Sequence, residues 1–147
     1  MRLSLTRRSE YGVRMMLELA QQPPGTRMTA TALGKACDVP GGNVPTVISM
    51  LSRARLLLCN PGRGGGCSLA KDPEDTTLLE VIEALEGSLT VDHCLLDSRR
   101  CHDVDPECAL HASWSVGRDA ALDALASTSL SQAAEREREL RGRPVSG

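Results

Sequence analysis

The residues of this chain best suited to chemistry are three cysteines spaced seven residues apart. Cys94, Cys101 and Cys108 occur in a polar segment, and His111 follows the last of them by three residues. Thiolates gathered in a segment with little apolar material are the donors that a metal ion or an iron–sulfur centre requires. The spacing therefore predicts a loop that holds an inorganic centre.

The residues around this loop favour one type of centre without deciding it. Cys108 and His111 fall at the start of a helix predicted over residues 108–127, where both side chains can point the same way. The positive end of a helix favours a thiolate over a thiol. Three cysteines and a histidine are also a common zinc set, but zinc sites usually include a closely spaced cysteine pair. The wide gaps favour an iron–sulfur cluster, with zinc as the alternative.

The net charge of −2 conceals two halves of opposite sign. Residues 1–63 contain nine lysines and arginines against three acidic residues, a balance of +6. Residues 64–147 contain eight against sixteen, a balance of −8. A basic half of this kind is the electrostatic signature of a surface that binds a polyanion such as double-stranded DNA.

The composition and the N-terminus predict a cytoplasmic protein that does not enter a membrane. No run of eighteen apolar residues is present to span a bilayer, and the first residues lack the apolar core of a signal peptide. Cysteines in a reducing compartment are usually thiols rather than disulfides. We therefore expect Cys37, Cys59 and Cys67, each within an apolar or strand-like run, to be small core residues.

The basic half has the pattern of a helix-turn-helix. A first helix is predicted over residues 6–22, with Thr6 as its cap and prolines after its end. A second helix over residues 29–37 and a third that begins near Asn43 are separated by a glycine-containing break. The third helix has polar residues on its outer side, which suits contact with DNA bases. Its apolar face consists of Val44, Val47, Ile48 and Leu51.

A short β-hairpin is predicted directly after these helices. Two strand-like runs at residues 56–60 and 67–70 flank a glycine-rich turn at residues 61–66. A hairpin in this position forms the wing of a winged helix, and Arg63 at its tip suits a groove or phosphate contact. The glycines could also indicate a nucleotide-binding loop, but the pattern lacks the Lys-Ser/Thr ending and a following helix.

Helical patterns dominate the second half. A helix over residues 77–86 begins with a capping box of Thr77 and Glu80 and ends at Gly87. The helix over residues 108–127 repeats large and small apolar residues near heptad spacing, which favours a dimer seam. The repeating residues are Leu110, Trp114, Gly117, Ala121 and Leu125.

The predicted fold is mainly α with a small β-hairpin wing: a winged helix-turn-helix followed by a long C-terminal dimerisation helix. We expect the DNA-binding winged helix-turn-helix to occupy residues 1–88 and the cysteine loop residues 89–107. The dimerisation helix and a short terminal helix are predicted over residues 108–141, before a disordered tail at residues 142–147.

The order of these elements resembles the bacterial winged-helix regulators typified by IscR and NsrR. The similarity covers about residues 1–134 and rests on the N-terminus, the turn at residues 61–66, the helix at residues 78–87 and the cysteine run. The most specific match is Cys-Ala-Leu-His-Ala-Ser-Trp at residues 108–114. This stretch is similar to the end of the cluster loop and the start of the dimer helix in IscR-type members.

The resemblance implies an iron–sulfur cluster that is held by Cys94, Cys101 and Cys108 and whose state controls DNA binding. In IscR-type members the fourth ligand of a [2Fe-2S] cluster is a histidine, which maps onto His111. In NsrR-type members the fourth ligand of a [4Fe-4S] cluster is an acid from the partner's first helix, which maps onto Glu10. Both positions are filled here, so both cluster types stay open.

Two positions depart from the family pattern. The recognition helix starts with Gly41, Gly42 and Asn43, where a serine and a bulky aromatic residue are common. The family's DNA sequence preference is therefore not carried over. Arg55 stands in place of the glycine that usually separates the recognition helix from the wing.

The function predicted from the sequence is a homodimeric, DNA-binding transcriptional regulator, expected to be a repressor and not an enzyme. No catalytic dyad or cofactor fingerprint supports an enzyme. The alternative is a zinc-stabilised DNA-binding or adaptor protein without sensing chemistry. The residues expected at phosphates or the minor groove are Arg2, Arg7, Arg8 and Arg63. The residues expected to face the major groove are Asn43, Thr46, Ser49 and Arg53.

Overall fold

The computed structural model describes residues 4–89 and 108–142. These residues form helices and a two-stranded antiparallel hairpin, which confirms the predicted mainly α fold with a small wing. The elements are α1 (Arg7–Gln21), α2 (Ala30–Ala36), α3 (Val44–Arg53), β1 (Leu57–Asn60), β2 (Gly66–Leu69), a 3₁₀ turn (Pro73–Asp75), α4 (Leu78–Glu86), α5 (His111–Ser127) and α6 (Leu130–Arg141). Arg2, Cys94, Cys101, most of the predicted cysteine loop and residues 143–147 of the predicted tail lie outside the described residues.

Side chains at the helix starts explain where several helices begin. The Thr6 hydroxyl accepts a hydrogen bond from the Ser9 amide (3.3 Å), which confirms Thr6 as the cap of α1. Thr77 and Glu80 form the predicted capping box of α4. Pro45 lies in the first turn of α3, where its missing N–H costs no helical hydrogen bond.

One apolar core joins α1, α3, α4 and α6. α1 packs against the other three helices and contributes Met15 and Met16, which are fully buried. The chain contains no phenylalanine, so flexible methionines and branched residues fill this space. The other fully buried apolar side chains are Leu33, Val47, Leu51, Leu57, Val81 and Leu130.

α2 and α3 form a helix-turn-helix held by a close contact. A Cβ atom on Gly34 of α2 would lie 2.7 Å from Val44 Cγ2 on α3, so only glycine allows this approach. The Val39 amide donates to the Gly34 carbonyl oxygen (2.9 Å) and fixes the turn. Val47 and Leu51 bury the inner face of α3, and its polar side is left at the surface.

The wing is attached to the rest of the domain through β2. β1 pairs with β2 so that Cys59 lies opposite Cys67. On the other edge of β2, the Met28 amide donates to the Cys67 carbonyl oxygen (2.9 Å), and the Cys67 amide donates to the Met28 carbonyl oxygen (2.7 Å). Gly66 is required beside this contact, because its φ is 132° and a Cβ atom would lie 2.8 Å from the Met28 carbonyl oxygen.

Arg55 connects α3 to the wing in a backbone conformation that favours glycine. Its φ is 59°, in the left-handed region, where a residue other than glycine costs about 1 kcal/mol. The side chain is exposed. The chain therefore keeps the turn that glycine would give and adds a positive charge beside α3.

The predictions for the wing cysteines are wrong. Cys59 and Cys67 form a disulfide bond with each other, whereas two small core thiols were expected. Cys67 is buried but Cys59 is exposed. The sequence pattern considers each strand separately, whereas the hairpin register brings opposite side chains together. Cys37 is buried, as predicted.

The predicted start of the long helix is also wrong by one turn. α5 begins at His111, and residues 108–110 precede it as a tight turn. The His111 amide donates to the Cys108 carbonyl oxygen (3.0 Å), and the first helical bond runs from the Trp114 amide to the Leu110 carbonyl oxygen (2.9 Å). An i,i+3 bond of this kind closes a tighter turn than an α-helix does.

α6 returns to the body of the domain. The Leu130 amide donates to the Thr76 carbonyl oxygen (2.7 Å), and the Leu78 amide donates to the Thr128 carbonyl oxygen (3.0 Å). These bonds join the start of α6 to the start of α4, and Leu130 is buried in the core. α5 has no buried residue within the part of the chain that the structure describes. The division of the chain into separate domains stays a prediction.

Candidate nucleic-acid interface and metal-ligand residues

The outer face of α3 carries the predicted base-contacting residues. Asn43, Thr46, Ser49 and Arg53 are all exposed. They recur along α3 at three- or four-residue intervals, while Val44, Val47 and Leu51 hold the opposite face in the core. Ile48, expected on the apolar face, is only partly buried. α3 therefore presents one continuous polar stripe to solvent.

A groove of about 430 Å³ lies between the start of α1 and the start of α3. Arg7 and Arg8 line it together with Asn43. Both arginines are exposed, so their guanidinium groups are available to a ligand. The structure thus places two predicted phosphate-contacting residues beside one predicted base-contacting residue.

Tyr11 and Glu86 also line this groove and were not predicted as functional residues. The Glu86 carboxylate accepts a hydrogen bond from the Thr6 amide (2.8 Å). Hydrogen bonds from the Ser9 side chain and the Thr6 amide hold the pKa of Glu86 below its usual range. Glu86 therefore fixes the start of α1 to the end of α4, a contact between distant residues that no local sequence pattern contains.

A second groove, of about 530 Å³, separates α3 from the wing. Its α3 side includes Ile48 and Ser49, and its wing side includes Cys59, Asn60 and Cys67. Arg63 is exposed in the turn between β1 and β2. α3 therefore borders the α1 groove at its N-terminus and the wing groove along its flank.

The segment that forms this surface has one sign of charge. Residues 39–71, which include the turn before α3, α3 itself and the wing, contain no acidic residue. Four basic residues lie within it: Arg53, Arg55, Arg63 and Lys71. This acid-free segment attracts a polyanion over a distance of about 10 Å at moderate salt, while the Glu86 carboxylate is confined to the adjoining α1 groove.

Two of the predicted metal ligands lie together at the start of α5. Cys108 is half-buried and His111 is the first residue of the helix, and the hydrogen bond between their main chains keeps them one turn apart. The Ser115 hydroxyl lies 3.4 Å from His111 Nε2. A thiol and an imidazole at the positive end of a helix are suitable donors for a zinc ion or an iron–sulfur cluster. Cys94 and Cys101 belong to the segment outside the described residues.

Glu10, the alternative fourth ligand, lies on α1 and forms an ion pair with Arg14 of the same helix. Its side chain is 41% exposed. Within residues 4–89 and 108–142, no group of three or more potential ligands is close enough to hold a metal ion. The structure therefore brings together Cys108 and His111 but leaves Glu10 apart from them within one chain.

α5 presents an apolar surface that the described chain does not cover. Val116 is 72% exposed and Leu110 is 42% exposed. Trp114 is half-buried, and its indole N–H has no hydrogen-bond partner among the described residues. Apolar side chains left open along a helix suit contact with a second helix.

The comparisons with known proteins agree with this architecture. The model of the Rrf2 family, described as iron-dependent transcriptional regulators, matches residues 5–136. The chain is 26% identical to the HTH-type transcriptional regulator NsrR of Bacillus subtilis (strain 168) over 108 residues, which are 74% of each chain. It is 27% identical to the NsrR of Shouchella clausii (strain KSM-K16) over 108 residues, 74% of this chain and 72% of that one.

Two solved structures of bacterial regulators, CymR and IscR, have the same fold as this chain. CymR (YrzC), the global cysteine regulator of B. subtilis, superposes with a TM-score of 0.78 at 25% identity, over 92% of this chain and 98% of that one. IscR of T. potens superposes with a TM-score of 0.74 at 20% identity, over 97% and 93%, which shows the fold alone.

These relatives are transcriptional regulators and not enzymes. Among the described helices, none has the length and hydropathy required to cross a bilayer. The match to the family model extends from the start of α1 into α6 and includes both candidate sites. The chain belongs to the Rrf2 family of transcriptional regulators.

Proposed function

We propose that this chain is a homodimeric DNA-binding repressor whose DNA affinity is controlled by an iron–sulfur cluster. The observation that carries the DNA-binding part is the position of α3 between the α1 groove and the wing groove. One duplex can then receive α3 in its major groove while both flanks contact its backbone. The site of action would be the cytoplasm, where bacterial DNA is found.

The exposed side chains divide into two classes of DNA contact. Arg7, Arg8 and Arg63 are on the flanks and suit phosphates, which fix position but carry no sequence information. Arg2, outside the described residues, is expected to act with them. The polar stripe of α3 suits base edges in the major groove. Its members are Asn43, Thr46, Ser49 and Arg53.

The homodimer is supported by the open surface of α5. Val116 and Leu110 expose apolar area that a second copy of α5 would cover. A two-fold symmetric dimer would present two α3 helices to two half-sites of a palindromic DNA sequence. Two half-sites increase both the affinity and the specificity that one small domain can reach.

The cluster is supported by the donor chemistry and by the family description, which names iron-dependent transcriptional regulators. Cys108 and His111 supply a thiolate and an imidazole at the start of α5, and Cys94 and Cys101 would complete the set. A cluster bound there would supply a centre whose charge or presence changes with redox state, nitric oxide or iron supply. Zinc is the alternative occupant of the same donors.

Control of DNA binding would run through α5. Ligation of Cys108 would hold the turn at residues 108–110 and therefore the start of the helix that joins the two copies. Release of Cys108 would free that turn and allow the two DNA-contacting units to change their separation. The change in DNA affinity is limited by the difference in cluster affinity between the two arrangements.

The cluster hypothesis is tested by anaerobic purification, followed by an absorption spectrum and analysis of iron, sulfide and zinc. We expect brown protein with iron and sulfide, and loss of both in Cys108→Ser. Colourless protein with zinc would favour the alternative. Separate His111→Ala and Glu10→Ala variants identify the fourth ligand, because only loss of a true ligand should alter the cluster spectrum.

The DNA-binding hypothesis is tested with a duplex that the full-length protein selects from a random library. Arg8→Ala should weaken binding to all sequences and lower the salt dependence by about one unit of slope. Arg136→Ala is the matched control, because Arg136 is an exposed arginine on α6 that pairs with Glu139 (2.9 Å). Equal salt slopes for Arg8→Ala and the unmodified protein would reject the phosphate contact. Equal DNA binding with and without the cluster would reject cluster control.

A further inference from the structure

We propose that Cys59 and Cys67 are a reversible redox pair in the wing, separate from the cysteines of the cluster hypothesis. The two residues are joined by a disulfide bond across β1 and β2. This disulfide links the two strands on either side of the wing turn, which contains Arg63. This proposal rests on the DNA-binding role of the wing and adds a second input to it.

The hairpin register explains why these two side chains meet. Cys59 is directly opposite Cys67, with their Cα atoms 4.1 Å apart. The main-chain N–H and C=O of Cys67 both point away from β1 and bond to Met28. Cys59 and Cys67 therefore form a non-hydrogen-bonded pair, the type of antiparallel pair in which opposite side chains are closest.

The two sulfur atoms differ in access, which assigns their roles. Cys59 is exposed and Cys67 is buried. In the reduced state, the Cys59 thiolate can attack an external low-molecular-weight disulfide and release one thiol. The Cys67 thiolate then attacks the Cys59 sulfur of the mixed disulfide and releases the second thiol. Two protein thiols are thereby oxidised, and one external disulfide is reduced to two thiols.

The pair lies where its state can influence DNA binding. Cys59, Cys67 and the wing turn line the groove that faces Ser49 of α3. The Ser52 hydroxyl of α3 lies 3.9 Å from Cys59 Sγ. Each strand has only four residues, and a two-stranded hairpin of this size has little stability of its own. A bond between the strands therefore orders the wing turn before DNA arrives.

Neighbouring thiols do not explain a redox response at this position. Burial, together with the nearby Glu18 carboxylate, raises the pKa of the Cys37 thiol to about 11. Cys37 is therefore protonated at neutral pH and reacts poorly. Cys108 belongs to the proposed cluster site at the start of α5.

The experiment equilibrates the anaerobic, full-length protein with mixtures of reduced and oxidised glutathione and measures two quantities on the same samples. The first is the linkage of the tryptic peptides 56–63 and 64–71, which cleavage after Arg63 separates unless the disulfide joins them. The second is affinity for the library-selected duplex. Because ordering the wing in advance removes part of the cost of binding, we expect the oxidised form to bind about tenfold more tightly.

Two variants separate this pair from the cluster. Cys59→Ser and Cys67→Ala both keep the cluster cysteines but cannot form the wing bond. Both should bind DNA as the reduced unmodified protein does and should not respond to glutathione. Because Cys59 is exposed and Cys67 is buried, the first variant keeps the test valid if the second fails to fold.

The remaining outcomes each overturn the proposal in a recognisable way. Peptides that stay unlinked at every glutathione ratio would show that the pair is not a redox couple. Linked peptides with equal or weaker DNA affinity would show that the bond does not promote binding by ordering the wing. An equal glutathione response in Cys59→Ser would assign it to the cluster cysteines. Failure of every form to bind DNA would instead reject the proposed function, and the control of DNA binding with it.

Discussion

The two C-terminal helices, α5 and α6, follow one another in the chain but are stabilised differently. α6 begins with a capping box of Ser129 and Gln132 and buries Leu130 against the core. α5 has Leu110 at its cap position, with no side-chain cap bond among the described residues, and buries none of its own side chains. Most of the stability of a helix in a protein comes from packing of its apolar face. α6 packs its apolar residues against α1 and the core, whereas α5 packs against α4 but leaves apolar side chains exposed.

This difference also separates the two kinds of functional surface. The α3 surface is held by a buried face that belongs to the common hydrophobic core of the described residues. The Cys108–His111 turn lies at the start of α5, which has no residue buried by the described part of the chain, so that ligation or a partner chain can decide its conformation. A sensor is more effective in such a region, because the least stable part of a protein responds to small changes in free energy.

The largest expected effect tests whether α6 is anchored in the hydrophobic core. Leu130→Ala removes a fully buried side chain of α6 from the core and should lower the free energy of unfolding by about 3 kcal/mol. Leu140→Ala is the matched control on the same helix, because Leu140 is 47% exposed. Chemical denaturation monitored by circular dichroism measures both. Equal losses in the two variants would show that α6 is not anchored by Leu130.

The second-largest effect tests whether the exposed face of α5 contacts a second copy of the chain. Val116→Asp places a charge on the exposed face of α5 and should raise the dissociation constant of the dimer about a hundredfold. The folded state of each copy should persist, because Val116 has no role in the core. Sedimentation equilibrium measures the association, with Leu140→Asp on α6 as the control. A monomeric unmodified protein, or an unchanged dimer in Val116→Asp, would contradict the role of α5.

A smaller effect compares the two helix termini. Ser129→Ala removes the hydroxyl that accepts from the Gln132 amide (3.1 Å) and should cost about 1 kcal/mol of stability. Ser127→Ala is the control, because its hydroxyl only donates to carbonyl oxygens at the exposed end of α5. Thermal unfolding of both variants checks the difference. A larger loss in Ser127→Ala would reverse the proposed ranking of α5 and α6.

The smallest effect concerns an acid-sensitive contact in the packed body. Because hydrogen bonds from Ser9 and Thr6 lower the pKa of Glu86 in the folded state, Glu86 stabilises the protein above its ordinary pKa of about 4.3. That contribution is lost as the pH falls through the lower folded pKa. Glu86→Gln should reduce stability by less than about 0.5 kcal/mol at neutral pH and by nothing at low pH.

The pH dependence is measured by urea denaturation at several pH values. Glu135→Gln on α6 is the matched control, because Glu135 is an exposed acid on the packed helix. A difference between Glu86→Gln and the unmodified protein that grows toward low pH would have the wrong sign and would reject the assignment.

Much of the fold was predictable because its signals are local. Thr6, Thr77 and Glu80 cap helices through hydrogen bonds that span only three residues, so their spacing in the sequence is sufficient. The wing followed from its glycine-rich turn, and the outward face of α3 followed from the spacing of Val44, Val47 and Leu51. The cysteine run and its histidine likewise identified candidate ligands from spacing alone, although Cys94 and Cys101 lie outside the described residues.

Other features required the tertiary structure, because they join residues that are far apart in sequence. The Thr6–Glu86 hydrogen bond spans 80 positions and joins the start of α1 to the end of α4. The same packing places Arg7 and Arg8 in one groove with Asn43.

Local patterns in the sequence specified the helices and strands, the positive charge of the first half and the candidate ligands of an inorganic centre. They treated Cys59 and Cys67 as two separate core residues, and only the hairpin register showed that they form a bonded pair beside α3. They also predicted a short terminal helix and an apolar face on α5 suited to a dimer seam. Only packing showed that Leu130 of α6 is buried in the core, whereas α5 has no residue that the described chain buries. Helix caps and periodicity act within a few residues, whereas burial and pairing depend on which distant surfaces meet.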